Sequence, residues 1–160
     1  MKVKKFILII LFFIFIILIN SNVAIAGDCE TTVSNSLTSQ LECSDNDTLN
    51  VAISGSVIKT GADTIHAKNH SDVKIDNKGT ISASTNQAIN MQHAVNTTVT
   101  NSGTIEATLR NAILMDGDNA DNNTINNSGT LKAGKKQVIL ATNSENTTII
   151  NSGSIETTDS

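Results

Sequence analysis

Residues 100–107 read TNSGTIEA, and three near copies stand elsewhere in the chain: DNKGTISA at 76–83, NNSGTLKA at 126–133 and INSGSIET at 150–157. Anchored on their glycines and on an earlier one, the series is Gly55, Gly79, Gly103, Gly129 and Gly153, with steps of 24, 24, 26 and 24 residues. Self-similarity at such a period marks one structural unit written repeatedly, each copy stacking on the last. Two residues before each motif asparagine stands Ile75, Val99, Ile125 or Ile149, and two residues after each glycine stands Val57, Ile81, Ile105, Leu131 or Ile155. Small residues recur at Ala83, Ala107 and Ala133, and a second apolar step recurs at Thr64-Ile65, Ala88-Ile89, Ala112-Ile113 and Val138-Ile139.

Each repeat therefore carries three short apolar stations separated by polar turns. The stations are rich in β-branched residues, which favour strands. One coil of this kind cannot bury its inward residues alone, but coils stacked at the strand spacing of about 4.8 Å put isoleucine on isoleucine and alanine on alanine. The expected fold is all-β: a parallel β-helix of about five coils of about 24 residues. A helical reading fails, because Asn, Ser, Thr and Gly dominate and no apolar stripe of 3.6-residue period runs for three turns. The polar composition also suits disorder, but five in-register apolar sets argue against it.

The motif letters themselves read as corner chemistry. Asn77, Asn101, Asn127 and Asn151 fall at one corner of successive coils, where stacked amides hydrogen-bond along the axis as a ladder. Gly79, Gly103, Gly129 and Gly153, two residues beyond each Asn, give a turn that tolerates positive φ. Thr80, Thr104, Thr130 and Ser154 then follow as a column of hydroxyls. In the first repeat, LNVAI at 49–53 alternates so that Leu49, Val51 and Ile53 share one face. Ile53 stands there in place of the asparagine, as an end coil facing a cap does.

Upstream of the repeats, Lys2, Lys4 and Lys5 precede an apolar run from Phe6 to Ile19, and Ala24 and Ala26 stand just before Gly27. This is the pattern of a secretory signal peptide over residues 1–26, since the run is shorter than the roughly 20 residues that span a bilayer. All four Phe lie within it, so the remaining chain has no Phe, Tyr, Trp or Pro. Its removal moves the net charge from −4 to −7, because three of the eleven basic residues and none of the fifteen acids lie before residue 27. An acidic chain without aromatic faces has neither a phosphate-binding surface nor stacking platforms for bases, so no nucleic-acid partner is expected.

Cys29 and Cys43 are the two cysteines. In an exported protein a close, even pair reads as a disulfide. Val33, Leu37 and Leu41 have helical spacing between them, yet one straight helix would hold the cysteines about 21 Å apart, well beyond the roughly 7 Å a disulfide allows. Residues 27–48 are thus expected to form a disulfide-stapled N-terminal cap with at most a short or broken helix, and residues 49–160 the β-helix repeats, incomplete at the C-terminus.

Four Asn-x-Gly-[Thr/Ser]-[Ile/Leu] repeats behind an export signal and two close cysteines resemble the N-terminal passenger region of a bacterial autotransporter. The resemblance covers residues 27–160 in style. It implies type V secretion: export through the inner membrane, periplasmic transit, and display of a β-helical stalk at the cell surface through an outer-membrane β-barrel translocator. The ten-residue alternating strands and aromatic girdles of such a barrel do not occur in this sequence. The chain stops at SIETTDS, partway through a coil, which suggests a truncated product or the front of a longer passenger.

Candidate chemistry is sparse. Asp116, Asp118 and Asp121 lie in DGDNAD, in the one repeat that is two residues longer, and closely spaced carboxylates suit calcium. The stretch lacks the glycine and closing glutamate of an EF-hand loop, so a solvated acidic turn is the preferred reading and no metal or other cofactor is assigned. His66, His70 and His93 follow the Ile65 and Ile89 stations, and His66 and His93 are placed to approach each other on neighbouring coils. Asp63, Asp72 and Asp76 are scattered, and Arg110 has only Glu106 beside it. Six Asn-x-Ser/Thr sequons, including Asn96 and Asn146, are expected by chance in so Asn- and Thr-rich a chain. The expected function is a non-enzymatic, adhesin-like surface stalk with a surface protein or glycan as ligand. The alternative is a secreted β-helix enzyme acting on polysaccharide, which needs clustered carboxylates that the sequence does not supply.

Overall fold

The computed structural model describes residues 28–158, so the expected signal segment lies outside the described residues. The described chain winds through strands taken three to a coil. The first coil holds β1 (Thr31–Val33), β2 (Ser36–Leu37) and β3 (Leu41–Glu42), and the second β4 (Thr48–Val51), β5 (Ser56–Lys59) and β6 (Ile65–His66). The third holds β7 (Lys74–Asn77), β8 (Thr80–Ala83) and β9 (Ile89–Asn90), and the fourth β10 (Thr98–Asn101), β11 (Thr104–Ala107) and β12 (Ile113–Asp116). The fifth holds β13 (Thr124–Asn127), β14 (Thr130–Ala133) and β15 (Ile139–Thr142), and β16 (Thr148–Asn151) and β17 (Ser154–Thr157) begin a sixth. Corresponding strands pair in parallel, giving three sheets: β1-β4-β7-β10-β13-β16, β2-β5-β8-β11-β14-β17 and β3-β6-β9-β12-β15. The protein is a parallel β-solenoid, as the period predicted.

Register explains the core. Val99 pairs with Ile75 and Ile125, Ile105 with Ile81 and Leu131, and Ile113 with Ile89 and Ile139. Side chains alternate along a strand, and paired residues of neighbouring parallel strands point to the same face, so each of these sets lies wholly on the inward side. Ile75, Ile81, Ile89, Val99, Ile105, Ile113, Ile125 and Leu131 are accordingly buried. Ala83, Ala107 and Ala133 form their own buried column. Outward positions carry complementary neighbours instead: Lys132 of β14 pairs with Glu106 of β11 and Glu156 of β17, an alternation of charge that cross-strand contact favours.

Three expectations change. Residues 27–48 are stapled as expected, with Cys29 and Cys43 disulfide-bonded and their Cα atoms 4.6 Å apart. They are nevertheless not a separate cap, because β1, β2 and β3 pair with β4, β5 and β6 and make a coil of their own. None of the described residues of that stretch is helical. Val33, Leu37 and Leu41 share spacing because one falls on each of the coil's three strands.

Ile53 is not on the inward face with Leu49 and Val51. Val51 pairs with Asn77, so the second coil has two extra residues at that corner, and Ile53 is pushed out to 84% exposure. Finally, positive φ among the described glycines occurs at Gly61 and Gly117, not at the motif glycines. The motif glycines meet a different demand, close approach of two backbones. A Cβ on Gly103 would lie 2.1 Å from the carbonyl oxygen of Gly79, and one on Gly129 equally close to that of Gly103.

Candidate functional site

The corner built by the repeated letters is the most organised polar array of the molecule. Asn77 Nδ2 donates to Asn101 Oδ1 at 2.8 Å, Asn101 Nδ2 to Asn127 Oδ1 at 2.7 Å, and Asn127 Nδ2 to Asn151 Oδ1 at 2.7 Å. The same three amides also donate to main-chain carbonyls of the following coil, at Thr104, Thr130 and Ser154. Asn77, Asn101 and Asn127 are buried. Burial of an amide is tolerable only when such partners are present. The ladder begins at Asn77, whose Oδ1 has no partner, because Val51 holds the equivalent place one coil earlier. Asn77, Asn101, Asn127 and Asn151, with Gly79, Gly103, Gly129 and Gly153, are thus brought together as expected. They hold the backbone rather than present reactive atoms. The Thr80, Thr104 and Thr130 column is likewise in register.

A second asparagine column was hidden in the sequons. Asn46, Asp72, Asn96, Asn122 and Asn146 each lie two residues before a strand of the first sheet and each has φ between 53° and 68°. Asn69, His93, Asn119 and Asn143, three residues earlier, are left-handed too. Asn and Asp tolerate this conformation better than other side chains bearing a Cβ, so Asn recurs there for backbone reasons. Five of the six sequons fall on these two columns: those at Asn46, Asn69, Asn96, Asn122 and Asn146.

The acidic turn does not gather its carboxylates. Asp121 Oδ1 accepts the Glu145 N–H at 2.8 Å, and Asp118 contributes its carbonyl to His93 Nδ1 at 2.9 Å. Among the described residues no three His, Cys, Asp or Glu side chains are grouped for a metal ion. The extra two residues of this repeat lie in the turn between β12 and β13, where Gly117 takes φ 117° against the His93 ring. Asp118, Asn119, Asp121, Asn143, Ser144 and Glu145 line an open polar hollow there.

The histidines do not approach one another. His66 pairs with Asn90 on the next coil, not with His93, and its Nδ1 lies 2.6 Å from Glu42 on the coil before. His70 Nδ1 lies 3.1 Å from Asp45, whose Oδ1 also accepts the Ser71 N–H at 2.9 Å. That N–H, and then the His70 side chain, hold the Asp45 carboxyl below its ordinary pKa. Asp63 is buried and accepts from Asn90 Nδ2 and the Gln87 N–H. Asp76 pairs with Lys78 at 2.9 Å, and Glu106 accepts from Ser82 Oγ. Asp72 accepts from Asn96 Nδ2 at 3.4 Å, so Asp63, Asp72 and Asp76 serve separate local bonds.

The fold and this corner define the class, a parallel β-solenoid with an internal asparagine ladder. No family model, curated protein or solved structure matches the chain.

Proposed function

We propose that the chain is an exported, non-enzymatic stalk of the autotransporter-passenger kind, carried across the outer membrane by a β-barrel translocator and displayed at the cell surface or released from it. The observation that carries this reading is the solenoid itself. Its stacked corners and in-register columns make a stiff rod whose outward positions repeat Thr, Asn, Ser, Lys and Glu along the axis. A rod of this design extends a surface of weak, repeated polar contacts, which suits adhesion to a surface protein or glycan through many copies of one modest interaction. The Lys2 to Ala26 pattern supports entry to the export route, and a pair of cysteines only fourteen residues apart is compatible with a narrow translocation path.

Expression of the full chain in a Gram-negative host tests this directly. The reading requires a processed product beginning at Gly27, recovered from the periplasm when no translocator is present and exposed to external protease when a barrel is supplied in cis. Retention of the whole chain in the cytoplasm, with an uncut N-terminus, overturns it.

A further inference from the structure

Coil one is joined to coil two less extensively than later coils are joined to each other. Its strands pair over three, two and two positions with coil two, whereas coils two and three, and coils three and four, pair over four, four and two. Side chains supplement this short junction, and the acceptors among them are carboxylates of coil one. Glu30 Oε2 accepts the Thr48 N–H at 2.6 Å, Glu42 Oε2 lies 2.6 Å from His66 Nδ1, and Asp45 Oδ1 takes both His70 Nδ1 and the Ser71 N–H. Main-chain bonds from Cys43 N to His66 O and from Asn46 N to Ser71 O run beside them. Within coil one the Cys29–Cys43 bond is buried, so a reductant in solution does not reach it while the coil is seated.

We propose that coil one is a hinged lid that opens as a unit, and that Glu42 and Asp45, by gripping His66 and His70 of coil two, govern that opening and hence access to the Cys29–Cys43 bond. The pH dependence follows from the groups on each side. Glu42 faces His66, with Asp28 bridged to it on its own coil and Lys68 two residues beyond the histidine. Asp45 faces His70, with Asp47 on its own coil and Asp72 and Lys74 on the next. For Asp45 the folded pKa lies below the unfolded one, so its contribution is complete above the unfolded value and is lost as pH falls through the folded value. Acid that protonates Asp45 therefore loosens the lid.

The test measures reduction of the disulfide in the full chain by a water-soluble phosphine, which acts from acid to neutral pH, with each rate divided by that of a small model disulfide. Hydrogen exchange of the β10, β11, β13 and β14 amides is followed in parallel. The proposal expects a low relative rate at pH 5.5 and a rise of about tenfold by pH 3, with the exchange of those amides unchanged. Glu42→Ala with Asp45→Ala should raise the rate about tenfold at pH 5.5, and Glu42→Gln with Asp45→Asn should flatten the pH profile. A relative rate independent of pH, variants that match the parent, or core exchange that rises in step with reduction would each overturn it, the last because opening would then be global.

Discussion

Asn101 is bonded on both sides, accepting from Asn77 and donating to Asn127, whereas Asn77 carries an acceptor with no partner. The two positions look alike in sequence and differ in cost. Asn101→Leu strands an amide hydrogen on one neighbour and an oxygen on the other, and should lower stability by about 2–5 kcal/mol in urea unfolding. Asn77→Leu removes the oxygen already unpaired and leaves a new one on Asn101, so the ladder shortens without gaining an orphan, and its loss should be smaller by about 1–3 kcal/mol. Glycines separate in the same way. Gly103→Ala drives a Cβ into the Gly79 carbonyl and should cost about 3 kcal/mol, while Gly61→Ala meets open space and should cost only the strain of φ +88°, about 1–2 kcal/mol. The positions of these residues were legible from their period, but the motif glycines' reason was not, because close backbone approach leaves no mark in a sequence that distinguishes it from a turn. The left-handed Asn46, Asp72, Asn96, Asn122 and Asn146 column was written just as regularly, and was obscured by its coincidence with Asn-x-Thr.

At the scale of the strand, each inward residue is covered by its counterparts above and below. Ile105→Asp in β11 would bury a carboxylate between Ile81 and Leu131 and should abolish a cooperative thermal transition, whereas Thr108→Asp, exposed just beyond the same strand, should leave it within about 0.5 kcal/mol. Outward columns answer to charge. Lys132→Glu puts a third glutamate in register between Glu106 and Glu156 and should destabilise by about 0.5–1 kcal/mol at low salt, a loss that 1 M salt reduces. Strands of four residues were legible because they repeat. The short strands of coil one were not, since their offsets to coil two are 18, 20 and 24 residues rather than a constant, and no period points to them. The same irregularity hid the exposed Ile53, for counting back from Gly55 assumed a corner of fixed length.

Among the described residues the order of strand pairing is linear, each coil pairing with its neighbours, so stability accumulates junction by junction. Reduction of Cys29–Cys43 frees a loop of about fifteen residues and should remove about 3 kcal/mol from the first junction, seen as an earlier, separate melting step rather than a shift of the whole transition. Ile149 and Ile155, at the other end, are 45% and 43% exposed because no coil in the described chain stacks on them. They therefore form the least protected junction to hydrogen exchange. The matched columns also bear on inheritance. Between β7 and β14 every coil presents closely similar inward side chains, the same Asn-x-Gly corner and a left-handed turn above and below. A tandem duplication or excision of one whole repeat in the coding sequence therefore rejoins surfaces that already fit. Such an event changes the reach of the rod by one strand spacing, about 4.8 Å, and leaves each junction chemically as it was. Replication slippage can thus set the length of this molecule in fixed steps, without the compensating substitutions that an insertion into an ordinary core demands.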